Sequence, residues 1–192
     1  MTTALGICGS AQKGGSTATL LQEVLDAIGV DSELIRLSEL EIKFCLGCLT
    51  CMKQQGKCAI KDDAAGLFDK LLAARAIVVA SPNYYYTVSG LMKNMIDRSI
   101  SLSYRGIGKD TGLEWHGSLP FVDKVGGIVI TQAAFGGEKV EDAFQCLFEW
   151  SGLNWMGTVI ASVGSGHVKD YPDHLEEGRS LGRKIRERLG LD

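Results

Sequence analysis

The chain has 192 residues, 45% hydrophobic and 22% charged, which suits one globular domain (1–192) with enough buried surface to fold without disulfide staples. A net charge of −3, with positive charges scattered except near the C-terminal end, argues against a nucleic-acid partner, and no apolar run reaches the roughly 18 residues that span a membrane. The N-terminus lacks a signal-peptide pattern, so a cytosolic protein is expected, whose six cysteines stay reduced unless they bind metal or react.

Strand and helix patterns alternate. A buried strand covers about 4–8, and a helix follows with Leu20, Leu21, Val24, Leu25 and Ile28 on one face, Ser16 as its N-cap and Gly29 near its end. Ser32 to Leu37 suits a second strand, and a cysteine-bearing loop runs over 40–61. Asp62 and Asp63 open a helix carrying Leu67, Phe68, Leu71 and Leu72. The β-branched run Ala76–Ala80 reads as the central strand. Ser89 caps a helix with Leu91, Met92, Met95 and Ile96, and a long glycine-containing loop is expected over 103–124. A strand at Gly127–Thr131, a helix with Val140, Ala143, Phe144, Leu147 and Phe148, a fifth strand at Met156–Val163 and a helix from Pro172 to before Gly190 complete the chain. Cys8 and Cys146 read as core.

Five strands joined by helical crossovers predict an α/β fold with a doubly wound parallel sheet, for which the order 2-1-3-4-5 is chosen. Ligands of such sheets bind beyond the carboxyl ends of the strands, and here the first strand leads through Gly9-Ser10-Ala11-Gln12-Lys13-Gly14-Gly15-Ser16-Thr17 into a helix. The helix N-terminus supplies free N–H groups and a partial positive charge, and the hydroxyls of Ser10, Ser16 and Thr17 with the Gln12 amide can complete a phosphate cradle without a metal. A Walker A loop needs Lys where Gly15 stands, and a Gly-x-Gly-x-x-Gly dinucleotide loop needs Gly where Ala11 stands. Pro82 fixes the backbone after the central strand, and the tyrosines beyond it offer aromatic faces and hydroxyls.

These segments, with Ser81-Pro82-x-Tyr84 and Gly90-x-x-Lys93-x-x-x-Asp97-Arg98, resemble the NADPH-dependent FMN reductase group of flavodoxin-like proteins over essentially the whole chain. The resemblance implies that Ser10, Gln12, Ser16 and Thr17 hold the FMN phosphate. Pro82, Asn83, Tyr84 and Tyr85 would flank the ribityl chain and isoalloxazine, and the loop from Thr131 through Gly136 to Gly137 would border the ring. The family often has Pro-Arg where this chain has Ala11-Gln12.

Cys45-x2-Cys48-x2-Cys51-x6-Cys58 can wrap a [4Fe–4S] cluster, one thiolate per corner, whereas structural zinc more often uses two separated Cys-x2-Cys knuckles. Zinc binding and thiol redox chemistry remain the alternatives. Such spacing after the second strand is similar to the iron–sulfur flavoproteins, a branch of the same group. That resemblance implies electron transfer between cluster and FMN in an oligomer, expected as a homodimer or homotetramer. Because a cluster moves single electrons, a ferredoxin-like donor and an unidentified acceptor are expected. An NAD(P)H-dependent FMN or quinone reductase and a zinc-binding redox sensor are the competing functions. Loops after parallel strands share one sheet edge, so cluster and flavin are expected to be neighbours.

Lys93, Asp97 and Arg98 read as a structural ion-pair group outside the site. At least one of Tyr84, Tyr85 and Tyr86 is expected in the core, and Trp150 and Trp155 in the core or an interface. Trp115 is a candidate cover for the flavin or an ordinary packed residue. His116, His167 and His174 show no metal-like spacing, and the basic run Arg179, Arg183, Lys184, Arg186 and Arg188 reads as a solvated helix face.

Overall fold

The computed structural model describes residues 3–105 and 119–191. Most of the loop expected over 103–124, with Trp115 and His116, lies outside the described residues.

The elements run β1 (Ala4–Cys8), α1 (Ser16–Ile28), β2 (Ser32–Arg36), α2 (Thr50–Lys53), α3 (Ala64–Ala73), β3 (Ala76–Pro82), α4 (Gly90–Ser99), β4 (Val125–Gln132), α5 (Gly137–Ser151), β5 (Asn154–Ser162) and α6 (Pro172–Arg188), with short 3-10 turns at Leu37–Glu39, Ile100–Tyr104 and Val168–Asp170. The five strands form one parallel sheet in the order β2-β1-β3-β4-β5, the expected flavodoxin-like winding. All seven residues of β3 are buried, because helices cover both faces of a central parallel strand.

Alternation along β1 and β3 sorts the core into two layers. Leu5, Ile7, Ile77 and Val79 face Phe68 of α3, Met92 and Met95 of α4, and Phe144 and Phe148 of α5. Ala4, Cys8, Ala76, Val78 and Ala80 face α1 and α6 through Leu20, Leu21, Val24, Leu181 and Ile185. Small side chains dominate the second face of these strands, and α1 and α6 pack against each other over it.

Several element ends differ from expectation for local reasons. Ser16 is the first residue of α1 rather than its cap: Gly15 holds the N-cap position and the Ser16 hydroxyl accepts from Val168 N–H at 3.0 Å. Ser89 does cap α4, accepting from Met92 N–H at 3.2 Å. Cys8 is buried, but Cys146 is exposed on the outer side of α5, where Phe144 and Phe148 take the inward positions. Trp150 and Trp155 are both exposed rather than core.

Candidate functional site

The phosphate-loop end of the molecule is built where β1, β3 and β4 finish. No side chain caps the N-terminus of α1, and its first turn carries no acidic residue, so its leading N–H groups stay available to an anion. Ser10 is buried, and its hydroxyl accepts from Gln12 N–H at 3.3 Å. Thr17 is buried against Thr131, with the two hydroxyl oxygens 2.6 Å apart. Gln12 is exposed, and Arg36 at the end of β2 donates from Nη1 to its carbonyl at 3.4 Å. His167 reaches the same loop, with Nε2 3.0 Å from the Gly14 carbonyl.

The turn after β3 is tied to this loop by Ser81 and Ser89. Ser89 Oγ donates to the Gly9 carbonyl at 2.7 Å, and Ser81 Oγ accepts from Ser89 N–H at 2.9 Å while donating to the Pro82 carbonyl at 2.8 Å. Asn83 bridges to the β4 turn, its Nδ2 donating to Gln132 Oε1 and to the Phe135 carbonyl, each at 3.1 Å. Its Oδ1 is buried and has no partner among the described residues. An acceptor left open in this way awaits a donor.

None of the three tyrosines is in the core: Tyr84 and Tyr86 are exposed and Tyr85 is 98% exposed, with Tyr85 and Tyr86 at positive φ. Exposed aromatics on a strained turn mark a binding surface more than a packing role. Tyr86 lies 6.0 Å from Phe135, ring centroid to centroid, with the Lys139 ammonium 4.7 Å from its ring. Gly136 supports this edge at φ 91°, where a Cβ would stand 2.2 Å from Tyr86 Cδ1.

The cysteine loop lies elsewhere. Cys45, Cys48, Cys51 and Cys58 all line a mainly apolar cavity of about 800 Å3, together with Met52, Ile100, Tyr104 and Trp150. The hydrogen bonds from Thr50 hold the Cys48 thiol below its ordinary pKa, whereas burial pushes Cys51 up, helped by the like charges of Cys58 and Cys45. Gly56, at φ 83°, lets the loop press against the 3-10 turn at Ile100–Tyr104, since a Cβ there would come 2.7 Å from the Ser101 carbonyl. Among the described residues no three His, Cys, Asp or Glu side chains are grouped so as to hold a single metal ion.

The loop is closed at its neck. Asp63 Oδ2 accepts from Glu41 N–H at 2.7 Å, Asp63 N–H donates to the Glu41 carbonyl at 3.2 Å, and Asp62 Oδ2 accepts from Lys43 N–H at 2.9 Å. Arg98, left out of the site on sequence grounds, completes the neck. Its Nη1 donates to Asp62 Oδ2 at 2.5 Å and to the Lys43 carbonyl at 2.7 Å, and its Nη2 donates to Asp62 Oδ1 at 3.1 Å and to Cys58 Sγ at 3.5 Å. Lys93 and Asp97 do form the expected ion pair on the exposed face of α4. The signal that could have separated Arg98 from them is helical spacing: it follows Met92 and Met95 at three-residue steps on the buried stripe, and a buried guanidinium requires a carboxylate.

Residues 2–168 match the NADPH-dependent FMN reductase family. An iron–sulfur flavoprotein of Methanocaldococcus jannaschii is 32% identical over 97% of each chain, and one of Archaeoglobus fulgidus is 30% identical over 96% of this chain and 79% of its own. The chain belongs to the NADPH-dependent FMN reductase family, in its iron–sulfur flavoprotein branch. Membership makes it a flavin-dependent oxidoreductase. Solved structures agree on the fold of this family member: a flavone reductase superposes with TM-score 0.74 at 21% identity over 97% of this chain and 62% of its own. An FMN-dependent NADH-azoreductase of Bacillus anthracis, solved in complex with FMN, gives 0.66 at 13% identity over 98% and 99%. No helix among the described residues of this member of the family is long and apolar enough to cross a membrane.

Within one chain the cysteine loop and the loop after β1 meet α4 at different ends. Ser89, at the start of α4, touches the phosphate loop, while Arg98 touches Cys58 nine residues later, about 13 Å along the helix axis at ~1.5 Å per residue. The cysteine loop leaves the expected sheet edge and runs down α4, held on the way by Asn94 Nδ2 donating to the Ile42 carbonyl at 2.6 Å. Its cysteines therefore sit at the end of α4 remote from the phosphate loop.

Proposed function

We propose that this flavoprotein binds FMN at the β1, β3 and β4 loops and a [4Fe–4S] cluster through Cys45, Cys48, Cys51 and Cys58, and passes electrons between the two. A ferredoxin-like one-electron donor would supply them to an unidentified acceptor. The observation that carries the proposal is four cysteines lining a single cavity together with a buried arginine. A cluster takes each thiolate at a separate corner, so this spread arrangement suits it better than one zinc ion bound at about 2.3 Å by four sulfurs.

FMN supplies chemistry in steps of one or two electrons and the cluster in single-electron steps, so together they divide or combine electron pairs. The protein's own part is binding and orientation. The uncapped start of α1 with Ser10, Gln12, Ser16 and Thr17 would take the phosphate. Asn83 Oδ1 would accept from an N–H of the flavin edge, and Pro82, Tyr84, Tyr85, Thr131 and Gly136 would border the ribityl chain and ring. Arg36 brings a cation to a loop that carries Ala11-Gln12 in place of Pro-Arg. The apolar residues exposed around the cysteines, Phe44, Leu46, Leu49 and Trp150, are where copies would meet in a homodimer or homotetramer.

A nicotinamide donor is the second reading, favoured by the family to which the chain belongs. Anaerobic purification followed by iron, sulfide and flavin assay tests the proposal. About four irons and four sulfides with one FMN per chain are expected. Zinc without sulfide would sink it. Anaerobic mixing with NADPH or with a reduced ferredoxin then separates the donors: rapid flavin bleaching by NADPH alone favours the second reading.

A further inference from the structure

Arg98 is an unusual residue to find on the buried stripe of α4. It is 2% exposed, its carboxylate partner Asp62 is equally buried, and a buried ion pair carries a desolvation cost that apolar packing would avoid. Closing the neck of the loop occupies the Asp62 carboxylate and the Lys43 carbonyl, which the guanidinium fork satisfies with three of its hydrogen bonds. The fourth goes to Cys58 Sγ, and Nε stays buried with no partner among the described residues. The guanidinium thus has donors beyond those that close the neck, one of which reaches Cys58, and it helps to line the cysteine cavity.

We propose that Arg98 is a positioning residue for the iron–sulfur centre, holding a charged N–H donor on the Cys58 sulfur and thereby raising the reduction potential of the cluster. The inference rests on the cluster assignment made above. Reduction adds negative charge to a cluster and its thiolates, and a cationic donor on one thiolate stabilises the more negative state. Asp62 moderates the effect by cancelling part of the charge while fixing the guanidinium plane through a bidentate contact. Burial leaves little water to screen what remains. Lysine cannot substitute fully, because a single ammonium cannot hold Asp62 and the Lys43 carbonyl in a planar fork and also reach the sulfur.

The test compares wild type, Arg98→Lys and Arg98→Gln as full chains reconstituted anaerobically with iron, sulfide and FMN. Iron and sulfide are counted, the cluster is titrated by electron paramagnetic resonance against solution potential, and the flavin is titrated optically in the same samples. The expected result is a more negative cluster midpoint in Arg98→Lys, more negative still in Arg98→Gln, with flavin midpoint and FMN affinity unchanged. A loaded variant that titrates with the wild type overturns the inference, as does a flavin midpoint that moves with the cluster's. If Arg98→Gln does not load, Arg98→Lys decides. If neither loads while wild type does, Arg98 is a structural strut and the inference is overturned. Wild type that takes up no iron and sulfide is a different failure, which removes the cluster assignment itself and this inference with it.

Discussion

The hydroxyl of Thr17, in the first turn of α1, lies 2.6 Å from the hydroxyl of Thr131, the next-to-last residue of β4, with both residues buried. One hydrogen bond therefore joins the phosphate loop to the strand that leads into the Gln132–Gly136 turn. Thr131→Val leaves the Thr17 hydroxyl buried without its partner and is expected to cost about 1–3 kcal/mol in urea unfolding, whereas Thr17→Val/Thr131→Val, which removes both hydroxyls, is expected to be nearly neutral. FMN binding should not recover in the double variant. A Kd raised roughly tenfold, equivalent to about 1.4 kcal/mol, is expected by flavin fluorescence titration. Wild-type affinity in the double variant would remove Thr17 from the phosphate site.

Cys48→Ser is expected to reduce bound iron and sulfide to background while leaving one FMN per chain. The loop after β1 and the cysteine cavity contact opposite ends of α4, so the phosphate loop shares no cysteine with the cluster site. Metal analysis and flavin absorbance on one anaerobic preparation check it. Simultaneous loss of flavin would show that the two sites depend on each other.

Asp62 carries a pH signature. Burial alone would raise its pKa, but hydrogen bonds from Arg98 and from the N–H groups of Lys43 and Ala64, with the Arg98 charge, hold it below the usual carboxylate range. A carboxylate with a depressed folded-state pKa contributes stability above its unfolded value of about 4, and loses it as pH falls through the folded value. Asp62→Asn should therefore lower stability by about 3 kcal/mol near pH 7, as for other buried pairs that lose one charge, and the gap to wild type should close below about pH 4. Urea melts at several pH values test this. A gap independent of pH would mean that the loss does not come from the ionised form of the Asp62 carboxylate.

Gly136→Ala should distort the aromatic edge. A Cβ at that φ is strained and meets the Tyr86 ring, so a loss of about 1–3 kcal/mol and a weaker FMN complex are expected, by thermal melts with and without flavin. Gly90→Ala serves as the control, since its Cβ would meet nothing within 4 Å and the position is helical. Equal effects in the two variants would argue that Gly136 has no special place at the site.

The element sequence was legible because it depends on local signals: β-branched runs in β3 and β4, the Ser89 cap, Pro172 at the start of α6 and αL glycines such as Gly29; the sheet order followed from the doubly wound fold class, not from any one of them. The loop joining β1 to α1 was legible for the same reason, as strand, loop and helix are contiguous. What motif spacing could not convey was where a long loop travels. The 40–61 segment follows α4 because Asn94 and Arg98 hold backbone carbonyls within it, contacts 52 and 55 residues apart in sequence. Arg98 itself was hidden by its neighbour Asp97, which offers an ion pair on the exposed face. Cys146, and the one tyrosine expected in the core, were misplaced because apolar character alone does not decide burial.

The closed neck at Glu41–Lys43 and Asp62–Asp63 has a consequence for how such a chain arises. Where the two ends of a segment are already stapled to each other, lengthening or replacing what lies between them adds only a slowly growing loop-closure entropy and leaves the sheet untouched. The segment from 44 to 61 is in that sense a cassette, fitted to a flavodoxin-like scaffold through two adjacent aspartates and one arginine. A lineage could gain, trade or discard it without rebuilding the domain that carries it.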